Sequence, residues 1–275
     1  MKRCLEARKS TRAAVATPIE PPSFRWGAQA QAWTAYQETA VRPLYEAVFD
    51  QLGLSAGTRL LDVGCGAGLA AQLAASRGAR VWALDASAAL LEIARSRVPE
   101  GEFRLGDMAA LPYAEASFDV VTGFNSFQFA TDLAAVFGQV KRVIRPGGSV
   151  VVAVWGRPEE CESAATVNAI SRLVPDPRPG VRGPFALSAP GVVEVALPQA
   201  GLWPTGSGAI ACPYTYPDLG AAVAGWLATG TAARAIQQVG AEAVRQAIVD
   251  SLPPYRMPDG GYRQHNIFRY VIASP

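Results

Sequence analysis

The chain carries one histidine, His265, and only four cysteines, Cys4, Cys65, Cys161 and Cys212, too scattered for a paired ligand motif. That excludes a multi-histidine metal centre, and no metal is expected. Widely spaced cysteines are the pattern of reduced thiols, so a cytoplasmic location is expected. No uninterrupted apolar run reaches the length of a bilayer, so no membrane span is expected. Charge is scarce as well. The net charge is +2 over 275 residues, and Lys2, Arg3, Arg8, Lys9 and Arg12 against Glu6 and Glu20 already give the first twenty residues +3. The remainder, close to −1, offers no basic surface for nucleic acid.

What is present is hydrophobic periodicity. Residues 1–23 lack it and end among Pro18, Pro21 and Pro22, which predicts a mobile leader. Residues 24–275 read as a single domain of 252 residues, monomeric or homodimeric. Within it, 24–56 has helical spacing and forms a cap, with Pro43 breaking that stretch or opening a new helix. Strands are expected at Arg59–Val63, Arg80–Leu84, Glu102–Leu105, Phe118–Gly123 and Ser149–Trp155, alternating with helices at Leu69–Ser76, Ser87–Val98 and Leu133–Ile144. Such alternation predicts an α/β fold around a parallel sheet. Beyond Trp155 the chain is rich in proline up to Pro190, with a helix near Cys161–Leu173. A sixth strand is read at Gly208–Thr215, one or two helices over Leu219–Ile248 broken at Gly230, and a last strand over Tyr262–Ile272.

The chemistry concentrates in Asp62-Val63-Gly64-Cys65-Gly66-Ala67-Gly68 and in Asp85, twenty-three residues after Asp62. Glycines between a strand and a helix let backbone N–H groups approach a ligand, and the helix N-terminus adds partial positive charge. Asp85, at the tip of the next strand, is placed to accept hydrogen bonds from ribose hydroxyls. The glycines are spaced G-x-G-x-G, unlike the G-x-G-x-x-G of a dinucleotide site. A carboxylate at Asp62 would repel a pyrophosphate and suits a ligand bearing an ammonium group. These features point to S-adenosylmethionine.

Leu60–Gly68, Asp85, Gly106-Asp107-Met108, Phe118-Asp119-Val120-Val121 and Ile144-Arg145-Pro146-Gly147-Gly148 together resemble a class I S-adenosylmethionine-dependent methyltransferase of the small-molecule, ubiquinone/menaquinone-biosynthesis-like kind. The resemblance covers roughly residues 24–155. It implies a Rossmann-like seven-stranded, mostly parallel sheet, strand 7 antiparallel between strands 5 and 6, with helices on both faces. It also implies that 156–200 and 217–255 form lid elements over a small-molecule acceptor, and that S-adenosylhomocysteine is the product.

The cofactor residues expected are Asp62, Gly64, Cys65, Gly66, Asp85, Ala86, Asp107, Met108, Phe124 and Asn125. The resemblance places Asp107 on the adenine amino group and Met108 against the ring. Trp33, Tyr36, Phe127, Gln128 and Trp155 are expected to face the acceptor, which their character makes small and largely apolar. Many relatives carry a histidine pair near 127–128; Phe127-Gln128 here removes an obvious base, since a Gln orients a hydroxyl but takes no proton at neutral pH. Gln128, His265 and Tyr36 remain the candidates for a catalytic role. In-line methyl transfer to a phenolate, enolate or amine needs chiefly proximity and desolvation. Two other readings stay open: a methyltransferase fold with S-adenosylmethionine as structural ligand in a non-methylating cyclisation or isomerisation, and a dinucleotide-dependent oxidoreductase.

Overall fold

A computed structural model describes residues 30–174 and 183–275. The leader expected over 1–23 lies outside the described residues, as do the first residues of the cap and 175–182 of the expected lid. Five strands, β1 (Arg59–Val63), β2 (Arg80–Asp85), β3 (Glu102–Leu105), β4 (Phe118–Phe124) and β5 (Ile144–Trp155), run parallel. They belong to a seven-stranded sheet of order β3-β2-β1-β4-β5-β9-β6, in which β9 (Ile267–Ser274) lies antiparallel between β5 and β6 (Trp203–Ala211). This is the Rossmann-like α/β arrangement expected.

Both faces of the sheet are covered, and β5 shows how. Its alternate residues Val151, Ala153 and Trp155 join one core while Val150, Val152 and Val154 join the other, as the two-residue period of a strand requires. The first core is closed by α2 (Arg42–Gln51) through Leu44, Val48 and Phe49, and by α3 (Leu69–Ser76) and α4 (Ala88–Arg97). The second is closed by α5 (Leu133–Val143) through Val136, Phe137 and Val140. The cap begins with α1 (Ala30–Tyr36), and Pro43 opens α2 at its first turn, where a missing N–H costs nothing.

Beyond β5 the structure corrects several boundaries. Helix α6 (Ser163–Ser171) is shorter than expected, and α7 (Val192–Gln199) was not foreseen because Pro198 near its end masks the apolar face that Val193 and Leu197 bury. The sixth strand is Trp203–Ala211, not Gly208–Thr215; Tyr214–Tyr216 forms a separate β7 paired with β8 (Tyr262–Gln264). The expected strand Tyr262–Ile272 is interrupted at His265-Asn266. There the buried Asn266 side chain donates to Gln264 O and accepts from Ser163 N, replacing ladder bonds. The alanine-rich region is three helices, α8 (Leu219–Leu227), α9 (Gly230–Val239) and α10 (Ala241–Ser251). The break at Gly230 holds, with Thr229 capping α9, and a second falls at Gly240, whose φ is 84°. Strand β5 starts before the Pro146-Gly147-Gly148 turn because Ile144 already pairs with Phe118, and the ladder resumes at Ser149.

Candidate active site

A cavity of about 490 Å³ opens where β1, β2, β4 and β5 end, and its lining includes Gly64, Asp85, Asn125 and Trp155. All the parallel strands point their C-termini here, and the chain's loops supply the walls.

The glycine loop forms the cavity's base. Gly64 has φ 76°, and a Cβ there would lie 2.4 Å from Ser126 Cβ, so only glycine lets the loop after β4 pass this closely. Ser126 Oγ fixes that approach by donating to Val63 O at 2.6 Å. Asp85 accepts from Gly66 N at 2.9 Å through Oδ2 and from Ser87 N at 2.8 Å through Oδ1. Burial raises its carboxyl above the ordinary value, with the N–H bonds opposing that rise. Both oxygens keep lone pairs for a further donor. Cys65, Gly66, Ala86, Asp107, Met108 and Phe124 also line the cavity. Asn125 stands at φ 51°, a strained backbone for a side chain, and its buried Oδ1 has no partner among the described residues.

Asp62 is placed differently from expectation. It is 1% exposed, does not line the cavity, and accepts from Thr122 Oγ1 at 2.8 Å across the β1–β4 pairing. Burial, with Asp85 and Glu38 nearby, pushes its carboxyl up to about 7 despite that bond. His265 is exposed at the β8–β9 break, where its backbone N–H donates to Glu162; it lies away from the cavity. Tyr36 also misses the lining, because α1 packs on α8 so closely that a Cβ at Gly225 would sit 3.0 Å from Tyr36 Cβ.

Phe127 is the remaining correction. It opens a 3₁₀ turn, Phe127–Phe129, in which successive side chains point about 120° apart. Phe127 turns into the second core, edge-on to Phe137 and over Gly123, while Gln128 and Phe129 face the cavity. Gln128 is fully buried and neither of its side-chain polar atoms has a partner among the described residues. Trp33 and Trp155 line the cavity.

Glu38, Tyr214 and Trp226 are among the lining residues that the sequence reading did not single out. Glu38 accepts from Leu69 N at 3.1 Å, capping α3, and from Arg97 Nη1 at 2.6 Å. The signal was indirect: Gly68 has no side chain to cap α3, so the helix needed an acceptor from elsewhere. Tyr214 and Trp226 come from β7 and α8 and lean over the cavity beside Trp155, whose ring lies 5.6 Å from that of Tyr214. Trp226 is held in turn, its Nε1 donating to Gln264, whose Nε2 donates to Thr166. Burial raises the Tyr45 and Tyr214 phenols well above their ordinary value, so both stand as neutral groups at pH 7. Among the described residues no cluster of His, Cys, Asp and Glu could hold a metal, and no helix is long and apolar enough to cross a membrane.

Comparison with known proteins agrees with this geometry. Residues 61–152 match the family described as a methyltransferase domain. Over 111 residues the chain is 37% identical to the demethylmenaquinone methyltransferase of Renibacterium salmoninarum, covering 40% of this chain and 47% of that protein. Over 115 residues it is 42% identical to methyltransferase GfsG of Streptomyces halstedii, covering 39% and 41%. The chain thus spans less than half the length of these curated relatives. The phosphoethanolamine N-methyltransferase 2 of Haemonchus contortus, solved with S-adenosyl-L-methionine, superposes with a TM-score of 0.60 at 18% identity, covering 93% of this chain and 60% of that one. Residues 61–152 are therefore similar in sequence to a methyltransferase domain, on a sheet of the Rossmann-like order described above. Both of these curated relatives are called methyltransferases, which favours neither the non-methylating nor the dinucleotide reading.

Proposed function

We propose that this protein transfers a methyl group from S-adenosylmethionine to a small, largely apolar metabolite, releasing S-adenosylhomocysteine. The observation that carries the proposal is a single cavity joining the glycine loop and Asp85 to a wall of Phe129, Trp155, Tyr214 and Trp226. The residues fit such a cofactor: a loop kept open by glycine, a carboxylate with spare lone pairs, and the unpartnered Asn125 Oδ1. When bound, S-adenosylmethionine supplies a methyl group on a cationic sulfur, already activated for in-line displacement.

Asp85 would accept from the ribose hydroxyls, Asp107 and Met108 would hold the adenine, and Gly64, Cys65, Gly66, Ala86, Phe124 and Asn125 would enclose the rest. On the other side the aromatic wall orients the acceptor and keeps water out, so proximity and desolvation carry most of the acceleration. Among the described residues no lining side chain is poised as a strong base. Glu38 is tied to Arg97 and to Leu69 N, the phenols of Tyr45 and Tyr214 are neutral, and the cavity excludes His265 and Asp62. An acceptor that reaches its nucleophilic form without help, such as a phenolate, enolate or amine, matches this set. Incubation with S-adenosylmethionine and a panel of apolar phenols, enols and amines tests it by mass: gain of one methylene supports the proposal, and an unchanged mass for all opposes it.

A further inference from the structure

Gln128 stands out in the acceptor half of the cavity. The side chain is fully buried, and both its Nε2 and its Oε1 lack partners among the described residues. The same lining holds Phe129, Trp155 and Trp226, and polar Asn125, Ser126 and Thr131 on its own segment, none of which hydrogen-bonds the Gln128 amide. Buried polar groups are nearly always paired, because leaving them unpaired forfeits hydration without return. A free primary amide edge offers one N–H donor beside one carbonyl acceptor. Its complement is a group presenting an acceptor beside a donor.

We infer that Gln128 selects the acceptor by pairing its amide edge with an adjacent acceptor–donor pair, as in a lactam, an undissociated carboxylic acid or a hydroxy-carbonyl group, on an otherwise apolar body. The inference rests on the reading that this cavity takes a methyl acceptor, and it narrows the class of molecule that qualifies. A site built to hydrogen-bond a substrate group rejects analogues that lack it more strongly than an apolar wall can, because the site's own buried groups then stay unpaired. Gln128 is a specificity residue here; it moves no proton.

The test uses the full chain saturated with S-adenosylhomocysteine, titrated calorimetrically with 2-quinolone, whose ring N–H adjoins its C=O, and with 2-methylquinoline, of similar outline without the pair. The wild-type protein should prefer 2-quinolone about ten-fold, and Gln128→Leu should abolish the preference by weakening 2-quinolone alone. S-adenosylhomocysteine affinity should be unchanged in the variant, and its Tm equal to or above wild type, since an apolar side chain replaces unpaired polar atoms. A lowered Tm would show a structural hydrogen-bonding role and overturn the inference. No preference in the wild-type protein, including no binding of either probe, would overturn it too, as would loss of S-adenosylhomocysteine affinity in Gln128→Leu. Failure of the wild-type protein to bind S-adenosylhomocysteine at all would instead overturn the methyltransferase reading.

Discussion

Thr122 Oγ1 donates a 2.8 Å hydrogen bond to Asp62 Oδ1 between residues paired across β1 and β4, so the acidic residue before the glycine loop is held inside the sheet. Its carboxyl is pushed up to about 7, chiefly by burial. In the unfolded chain the same group titrates near 4. The folded state therefore keeps a proton that the unfolded state has lost, and this group's contribution to stability falls as pH rises from about 4 to about 7 and is level above that. Denaturant unfolding of wild type and Asp62→Asn across this range should show the difference between them narrowing or reversing toward high pH, by a few kcal/mol at most. A pH-independent difference would refute the assignment.

Cofactor charge should act on the same group. A ligand carrying an ammonium and a sulfonium favours ionised Asp62 and draws its pKa down. Titration with S-adenosylmethionine near pH 7, in buffers of different ionisation enthalpy, should report release of a fraction of a proton. Asp62→Asn should abolish it. Equal heats in all buffers for the wild-type protein would contradict this coupling between the cavity and Asp62, which lies behind its lining.

Asp85→Ala should weaken S-adenosylmethionine and S-adenosylhomocysteine alike by about 1–3 kcal/mol, the range for unpairing hydrogen bonds to a charged group. The two ligands share the ribose, so equal losses identify a ribose contact. Loss confined to the cationic ligand would point to charge alone.

The close passage of Ser126 over Gly64 should make that glycine irreplaceable. Gly64→Ala combines a left-handed backbone with an overlap at 2.4 Å from Ser126 Cβ. A cost of about 2–5 kcal/mol is expected from strain and overpacking together, with cofactor affinity lost as the loop shifts. In Ser126→Gly/Gly64→Ala the overlap is gone and part of the stability should return; equal stability of the single and double variants would contradict the contact.

Glu38→Ala leaves the Arg97 guanidinium without its carboxylate, with Ala67 O still accepting from it, and α3 uncapped. About 3 kcal/mol of destabilisation is expected, the lower end for breaking a buried pair because the Arg97 side chain keeps 18% exposure. Glu38→Gln should recover part of it by keeping an acceptor for Leu69 N. Chemical unfolding of both variants checks the order.

The parallel half of the fold was legible because its signals are local. The strand–glycine–helix unit at Arg59–Ser76 and the acidic ends at Asp85 and Asp107 depend on residues close in sequence, and the structure places them where expected. What stayed hidden depends on distant contacts. Phe127 and Phe129 are alike in sequence, and only the 3₁₀ turn and the space over Gly123 decide which one enters the core. Tyr36 is displaced by the close crossing of α1 and α8, and Tyr214 and Trp226 reach the cavity from 59 residues or more beyond Trp155. Glu38 caps a helix thirty-one residues away. Periodicity carries no information about such partners.

The central claim is that this cavity holds S-adenosylmethionine, and calorimetric titration of the purified protein with S-adenosylmethionine, S-adenosylhomocysteine and NADH side by side tests it most directly. Binding of the first two without the third is the predicted result. Binding of NADH alone would contradict the account and reassign the glycine loop, Asp85 and Asp107 to a dinucleotide.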